Sequence, residues 1–406
     1  MNLRPNAAFV KQRPWLWLVM VVIVFGGVGW RWWSVGRPWP GTNTVLTNVP
    51  ANTVVTNGRL AHHPQPVCPA GYILVPGSVL YHTSDFCVMK YEAKCAAMAD
   101  PAVGIQPPAS SACFGRSGSN PEGVYNNSRP ACACNIANGK RVVSTAAGFP
   151  ITFIPGENTS GDNAKSYCQS IGAHLITNPE WMTIARDVEQ VPANWCDRNG
   201  ASCGWPPGTT GKILANGHND DHNETTASGD GNGALVAGAD NQPCFGTTTD
   251  GSNICGGKSS QKRTLTLNND QVIWDLAGNV WEWVDTTTAR KDEPKSATHG
   301  VLDLGWTRSD FAPGSLPSVL TDNGQGPTLG YDAFRPSNPT WNATNGVGRI
   351  YHYSSANDAS VTQYDFLRGG NWRHYDDDGA FTIHLSPPIT KAGIDDVGFR
   401  CVTAVQ

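Results

Sequence analysis

The chain has 406 residues, a formal net charge of -4 and only 15% charged residues, whereas glycine (44) and tryptophan (15) are abundant. A near-neutral chain lacks the basic surface that nucleic-acid binding requires, so no nucleic acid is expected as a partner. Abundant glycine with few charges is typical of a loop-rich fold held by aromatic side chains, and it argues against a helical bundle.

The N-terminal segment, residues 1–36, has the pattern of a cytoplasmic tip followed by a transmembrane anchor. Residues 15–30 are uncharged and apolar, and the tryptophans at both ends of this run lengthen it toward the about 30 Å of a bilayer core. Arg4, Lys11 and Arg13 precede the run, which predicts a cytoplasmic N-terminus and an extracytoplasmic or cell-surface domain. The alternative is a signal peptide that is cleaved shortly after the run.

The remaining chain divides into a linker and one large folded domain. Residues 37–66 are rich in Pro, Thr and Asn, which predicts a linker, and the folded domain is expected to span 67–406. Asp85–Ala93 has the pattern of a strand between turns. Residues 96–147 have little periodicity and several cysteines, which predicts a disulfide-pinned insertion.

The twelve cysteines form an even set, and in an exported domain this predicts a disulfide framework. Metal binding is the alternative, but the chain has no C-x-x-C pair. Cys196 with Cys203, and Cys244 with Cys255, are close enough in sequence for local bridges. The pairing is left open for the cysteines at 68, 87, 95, 113, 132 and 134.

Two helices are predicted with defined ends. The first covers Asp162–Ile171 and stops before Gly172, a C-cap signal. The second begins after Thr177, whose side chain can cap the helix while Glu180 reaches back to complete a capping box. Four apolar residues then follow with the spacing of one buried helical face: Trp181, Ile184, Ala185 and Val188.

The sharpest local motif is WDLAGNVWEWV, residues 274–284. Asp275, Asn279 and Glu282 place hard oxygen donors around one turn, and calcium favours six to eight such ligands in irregular geometry. The alternative is a buried turn in which Glu282 only accepts hydrogen bonds from backbone amides.

Five blocks of the sequence, in this order, resemble the formylglycine-generating-enzyme (sulfatase-modifying-factor) family: Asp85–Ala93, Ala164–Trp181, Trp274–Val284, Leu367–Trp372 and Val397–Cys401. The resemblance covers about residues 67–406. It implies an α+β, C-type-lectin-like domain, loop-rich, with few helices and short antiparallel strands, here behind an N-terminal transmembrane helix.

The same resemblance implies a ligand set and a disulfide. In the family a structural calcium ion is held by side chains at the positions of Asp275 and Glu282 and by carbonyls at those of Gly278 and Val280. It also implies a bridge from Cys168 to Cys401, which would tie the first helix to the last strand.

The oxidase activity of the family depends on two copper-binding cysteines, one directly after a Gly-Gly turn and one a few residues on. Here Gly369 and Gly370 are followed by Asn371, and no cysteine occurs before Cys401. Without thiolates no copper site is expected, and the absence of the pair argues against that activity. An oxidoreductase with another chemistry on the same fold is kept as the alternative.

The segment 366–401 also resembles the variable regions of target proteins of diversity-generating retroelements. That resemblance implies a fixed frame that presents scrambled, ligand-binding positions: Asn371, Arg373, His374, Tyr375, Asp376, Asp378, His384, Ser386 and Asp395. Between Arg373 and Arg400 only Lys391 belongs to the residue types that adenine mutation of AAC codons cannot produce. Planar rings and hydrogen-bonding tips also suit an adaptable binding surface.

These observations predict a membrane-anchored, exported protein that binds an external protein or glycan through its C-terminal surface. An ordinary polar loop on a purely structural surface protein is the other interpretation.

Overall fold

The computed structural model of the chain describes the residues in the following ranges: 53–56, 59–62, 66–105, 113, 125–157, 161–198, 202–219, 234, 237, 261–289, 305–311, 330–354, 363–372, 378–385 and 395–406. The chain divides into two compact units, residues 1–65 and residues 66–406. In the first unit, β1 (Thr53–Thr56) pairs antiparallel with β2 (Arg59–His62), so the predicted linker contains a hairpin.

The predicted anchor, residues 15–30, lies outside the described residues. Among the helices that the structure does describe, none combines the length and the hydropathy that a bilayer crossing needs.

Both predicted helices are present. Helix α1 covers Ala164–Ser170 and helix α2 covers Asn178–Val188. The capping box of α2 is confirmed: the backbone N–H of Thr177 donates to Oε2 of Glu180 at 2.8 Å, and the Glu180 N–H donates to the Thr177 hydroxyl at 3.4 Å. The predicted apolar face of α2 is fully buried. Local sequence signals therefore define this helix completely.

The strands of the second unit are short, and most of their pairs are antiparallel. In chain order they are β3 (Tyr72–Val75), β4 (Phe86–Met89), β5 (Lys94–Ala97), β6 (Asp100–Gly104), β7 (Tyr125–Asn126), β8 (Lys140–Val143), β9 (Ile151–Thr152), β10 (His174–Leu175), β11 (Trp195–Asp197), β12 (Lys212–Leu214), β13 (Thr264–Thr266), β14 (Val272–Trp274), β15 (Trp281–Ala289), β16 (Gly305–Ser309), β17 (Ile350–Ser354), β18 (Gln363–Arg368), β19 (Ile383–His384), β20 (Val397–Phe399) and β21 (Cys401–Ala404). This is the predicted loop-rich α+β domain.

Two sheets position the C-terminal segment. The larger has the order β16-β17-β19-β18-β15-β20, with β15 between β18 and the parallel β20. The other has the order β10-β21-β4-β3, so the last strand pairs with the first strands of the domain. The WDLAGNVWEWV motif therefore leads directly into the strand that holds both ends of the C-terminal stretch.

The residues that the structure describes contain five disulfides, which confirms the predicted framework. Cys168–Cys401 is among them; it closes a loop of 233 residues, and such a closure contributes several kcal/mol, roughly, in the chain-entropy account. Cys196–Cys203 is also present, whereas Cys244 and Cys255 lie outside the described residues. The remaining bridges are Cys68–Cys87, Cys95–Cys134 and Cys113–Cys132.

The predicted insertion, residues 96–147, has more regular structure than its composition indicates. Strands β6, β5 and β8 form a three-stranded sheet within and beside it. Two of the bridges, Cys95–Cys134 and Cys113–Cys132, pin it as expected.

Candidate functional site

The turn between β14 and β15 is tight and buried. Asp275 and Asn279 have φ of 54° and 64°, which L-residues other than Asn and Asp rarely adopt. A Cβ on Gly217 would lie 1.7 Å from the carbonyl oxygen of Ala277, so only glycine permits this approach. The next residue, His218, accepts the N–H of Asn279 at 2.8 Å. The turn is thereby fixed against Gly217 and His218.

The two carboxylates expected to bind calcium are each paired with a buried arginine. Arg263 contacts Asp275 through two hydrogen bonds, Nε to Oδ1 at 2.5 Å and Nη2 to Oδ2 at 2.6 Å. Arg400 contacts Glu282 in the same way, with Nε to Oε2 at 2.6 Å and Nη2 to Oε1. Nη2 of Arg400 also donates to the carbonyl of Asp275 at 3.1 Å.

In this arrangement the two arginines compete with a calcium ion for the same carboxylates. A fork of two hydrogen bonds places a positive charge against each carboxylate and weakens its attraction for a divalent cation. Within the described residues, no group of three or more His, Cys, Asp or Glu side chains is arranged to hold a metal. The calcium site formed by Asp275, Gly278, Val280 and Glu282 stays a prediction, and the geometry speaks against it.

A third buried carboxylate, Glu92, lies on the other side of the turn. Its Oε2 accepts a hydrogen bond from Nδ2 of Asn279 at 2.6 Å, and its Oε1 accepts the N–H of Val280 at 3.2 Å. Nζ of Lys94 lies 4.0 Å from the same Oε2, and neither charged side chain is exposed. Glu92, two residues before β5, therefore binds the turn, and Lys94, the first residue of β5, lies beside Glu92.

The cluster is electrically balanced. Three carboxylates (Glu92, Asp275 and Glu282) face three cations (Lys94, Arg263 and Arg400), and each of these residues is at most 2% exposed. Burial raises the pKa of Glu92 and lowers that of Lys94, so both shifts favour the uncharged forms of this pair. Burial also raises the pKa of Glu282, and the Arg400 guanidinium opposes that shift.

The C-terminal stretch is attached to this turn by its backbone. The N–H of Gly278 donates to the carbonyl of Gly369 at 2.9 Å, and the N–H of Trp372 donates to the carbonyl of Asn279 at 3.0 Å. Trp372 packs on Val280 and is 4% exposed. The Gly-Gly turn is therefore held rigidly by the buried motif.

Asn371 connects the ends of two further segments. Its backbone N–H donates to Oδ2 of Asp378 at 2.8 Å, and its side-chain Nδ2 donates to Oδ2 of Asp396 at 2.6 Å. A Cβ on Gly370 would lie 2.0 Å from Cγ of Asp378, so the carboxylate packs directly on the glycine. The first contact joins the residues on either side of 373–377, and the second holds Asp396, which follows 386–394.

Of the predicted ligand-binding residues, the structure describes four: Asn371, Asp378, His384 and Asp395. All four are buried, at 0%, 0%, 5% and 5% exposure respectively. A ligand-facing surface was expected for these four residues, but their side chains are buried in the interior of the domain. The other five lie outside the described residues: Arg373, His374, Tyr375, Asp376 and Ser386.

Residues 379–385 are held by contacts with three elements of the fold. Arg368 donates to the carbonyl of Phe381 at 3.0 Å, and the Trp181 indole donates to the carbonyl of Ala380 at 2.8 Å. His384 packs edge-on against Trp281, with ring centroids 5.6 Å apart. Residues 379–385 are thus joined to α2, β15 and β18.

At the positions of the family's catalytic cysteines the chain has other residues. Asn371, fully buried, directly follows the Gly-Gly turn. Every cysteine in the part of the chain that the structure describes is bonded to another cysteine. The described residues therefore offer no thiolate pair for copper.

The Sulfatase-modifying factor enzyme 1-like domain family matches residues 134–405, about two thirds of the chain. The chain belongs to this family. No curated protein sequence matches it. Within the sulfatase-modifying-factor domain the matched range contains the turn, the C-terminal frame and the Cys168–Cys401 bridge, whereas Glu92 and Lys94 precede it.

Sequence reasoning missed four members of the buried cluster: Glu92, Lys94, Arg263 and Arg400. A signal was present for Arg400, because an arginine between Phe399 and Cys401 in a buried strand requires an internal carboxylate. Glu92 and Lys94 carry no such signal, because the run from Met89 to Ala96 also contains Lys90 and has the charge pattern of an exposed segment.

Proposed function

We propose that this sulfatase-modifying-factor domain is an exported ligand-binding protein and not an oxidase. It presents residues 373–377 and 386–394 from a rigid frame to an external protein or glycan. The observation that carries the proposal is the buried contact of Asn371 with Asp378 and Asp396. Recognition surfaces are commonly loops whose ends are fixed by a rigid scaffold.

The frame supports binding in a specific way. Fixing the ends of a loop lowers the conformational entropy that the loop loses when it binds. Asn371, Asp378 and Asp396 make the contacts that fix the loop ends, and we call these three residues the clasp. Residues 373–377 and 386–394 take no part in those contacts, so they are free to vary while the clasp is kept. Such a division suits a target protein of a diversity-generating retroelement, on a C-type-lectin-like scaffold.

Two features support an extracytoplasmic location. Five disulfides are typical of oxidising compartments. The apolar run at residues 15–30, preceded by three cations, supports a membrane anchor with a cytoplasmic N-terminus.

Sequencing of the coding gene in many cells of one population tests the diversification. We expect substitutions to be concentrated at codons 373–377 and 386–394, with Asn371, Asp378 and Asp396 invariant. We also expect a reverse-transcriptase gene and an adenine-rich near-copy of the 3′ end nearby. Even variation over the gene, or variation at the three clasp residues, contradicts the proposal.

A further inference from the structure

Two Asn-x-Ser/Thr triplets of the domain form the same local turn. In the first, Oδ1 of Asn126 accepts hydrogen bonds from the backbone N–H of Ser128 at 2.9 Å and from its hydroxyl at 2.6 Å. In the second, Oδ1 of Asn342 accepts the N–H of Thr344 at 2.8 Å and its hydroxyl at 2.7 Å. Nothing in the proposed binding function uses either turn.

Both turns leave the carboxamide nitrogen of the asparagine accessible. The middle residue of each triplet is buried, whereas the Ser or Thr that follows it is exposed. Among the described residues, the side-chain hydrogen bonds of Asn126 and Asn342 all use Oδ1, and neither Nδ2 is a buried atom. A substituent on Nδ2 therefore breaks no contact of the fold.

Other asparagines of the domain use the same nitrogen to hold the backbone. Nδ2 of Asn138 donates to the carbonyl of Pro130 at 2.8 Å, and Nδ2 of Asn194 donates to the carbonyl of Val188 at 2.9 Å. Modification of such a nitrogen removes a donor and leaves a carbonyl without its partner, which is costly in the interior. The two triplets avoid this cost.

We propose that Asn126 and Asn342 are acceptor sites for N-linked glycans. An Asn-x-Ser/Thr triplet whose middle residue is not proline is the acceptor signal for this modification on the surface of exported proteins. The inference rests on the extracytoplasmic location proposed above, because the glycan is transferred outside the cytoplasm. It adds a modification to the domain and assigns no further role to the recognition segment.

The co-substrate is a lipid-linked oligosaccharide diphosphate, used by a membrane oligosaccharyltransferase. Nδ2 of the acceptor asparagine attacks C1 of the first sugar, so that an Nδ2–C1 bond forms and the bond from C1 to the diphosphate oxygen breaks. Nδ2 loses one proton, and the lipid diphosphate leaves with the electron pair of the broken bond. Nothing is oxidised or reduced.

A third triplet provides a control within the chain. Oδ1 of Asn338 accepts the N–H of Thr340 at 2.9 Å and its hydroxyl at 2.7 Å, so this turn has the geometry of the two acceptor sites. Its middle residue is Pro339, which excludes it from the acceptor signal. We therefore expect no glycan on Asn338.

The remaining triplets do not touch the recognition segment. Two of them, which begin at Asn158 and Asn223, lie outside the described residues. The sequence of the segment 366–401 contains no Asn-x-Ser/Thr triplet. N-linked glycans would therefore cover other parts of the domain and leave this segment unmodified.

Mass spectrometry of the full-length protein, purified from the membranes of the cells that produce it, tests the proposal. After reduction and alkylation, trypsin yields residues 117–140 with Asn126, and residues 309–349 with both Asn342 and Asn338. Electron-transfer fragmentation, which keeps glycans attached, should locate sugar on the two acceptors and none on Asn338. Either acceptor found only in its unmodified form, or sugar on Asn338, overturns the proposal.

Single substitutions test the acceptor signal. Ser128→Ala and Thr344→Ala should each abolish the glycan at their own triplet and leave the other glycan in place, whereas Thr344→Ser keeps the hydroxyl and should retain it. Pro339→Ala should add a glycan to Asn338, because the turn is already formed. Sugar that persists on Asn342 in Thr344→Ala would overturn the proposal, because the triplet would then not direct the modification.

Protease treatment of sealed, right-side-out membrane vesicles separates this proposal from the location on which it rests. Added protease should cleave the domain from the outer face of the membrane. A cleaved domain with unmodified acceptors overturns the glycosylation and leaves the extracytoplasmic location intact. A domain that the protease does not reach overturns both.

Discussion

Replacement of Arg400 by methionine should expose how strongly the domain depends on its buried ion pairs. Arg400 and Glu282 are both fully buried, and their contact is a fork of two hydrogen bonds. Removal of the arginine leaves Glu282 in the interior without its partner, and breaking a buried pair in this way costs about 3–5 kcal/mol. The arginine also donates to the carbonyls of Met89, Trp274 and Asp275, so several acceptors lose a donor at once.

The assay is urea denaturation of Arg400→Met beside Arg141→Met, a control at an exposed position of β8. The control should change the free energy of unfolding by no more than about 0.5 kcal/mol. A double variant, Arg400→Met with Glu282→Met, should recover part of the loss because no unpaired charge remains.

The pH dependence provides a second readout. Without Arg400, burial holds the pKa of Glu282 above its unfolded value of about 4.3, so the folded variant favours the protonated acid. The stability deficit is then largest above the folded-state pKa and shrinks as the pH falls toward the unfolded-state pKa. Equal stability of Arg400→Met and Arg141→Met at neutral pH would refute the reasoning.

Three further predictions concern metal, activity and location. Because arginines occupy Asp275 and Glu282, a chelator should leave the melting temperature unchanged by differential scanning fluorimetry, and a drop would restore the calcium hypothesis. Purified protein supplied with copper and a sulfatase-type cysteine peptide should form no formylglycine by mass spectrometry, since Asn371 stands at the position of the first catalytic cysteine; turnover would favour the oxidoreductase alternative. Full-length protein should stay in the membrane fraction after carbonate washing because of residues 15–30, and a mature N-terminus near residue 37 would instead indicate cleavage.

The parts of the fold that the sequence predicts are those governed by local chemistry. Thr177 and Glu180 are three residues apart, so the local sequence alone predicts their capping box. The Cys168–Cys401 bridge followed from the family resemblance and not from spacing, because 233 residues separate the two cysteines.

The interior of the site could not be predicted for a related reason. A dense set of oxygens around residues 275–282 favours calcium when only the local sequence is considered. The cations that satisfy those oxygens come from elsewhere: Arg400 is 118 residues from Glu282. Likewise, Asn371 and Asp378 have polar side chains typical of a surface, but both are hydrogen-bonded in the interior. The Asp378 carboxylate accepts the backbone N–H of Asn371, and the Asn371 carboxamide donates to Asp396.

The central claim is that residues 373–377 are presented by a frame that does not depend on them. Chemical denaturation of two variants tests it most directly: the triple variant His374→Ala, Tyr375→Ala, Asp376→Ala, and the frame variant Asn371→Ala. The triple variant should stay within about 0.5 kcal/mol of wild type, as exposed substitutions do. Asn371→Ala removes the donor to the buried Asp396 and should cost about 1–3 kcal/mol. If the triple variant is destabilised as much as Asn371→Ala, the segment is part of the core and the account is contradicted.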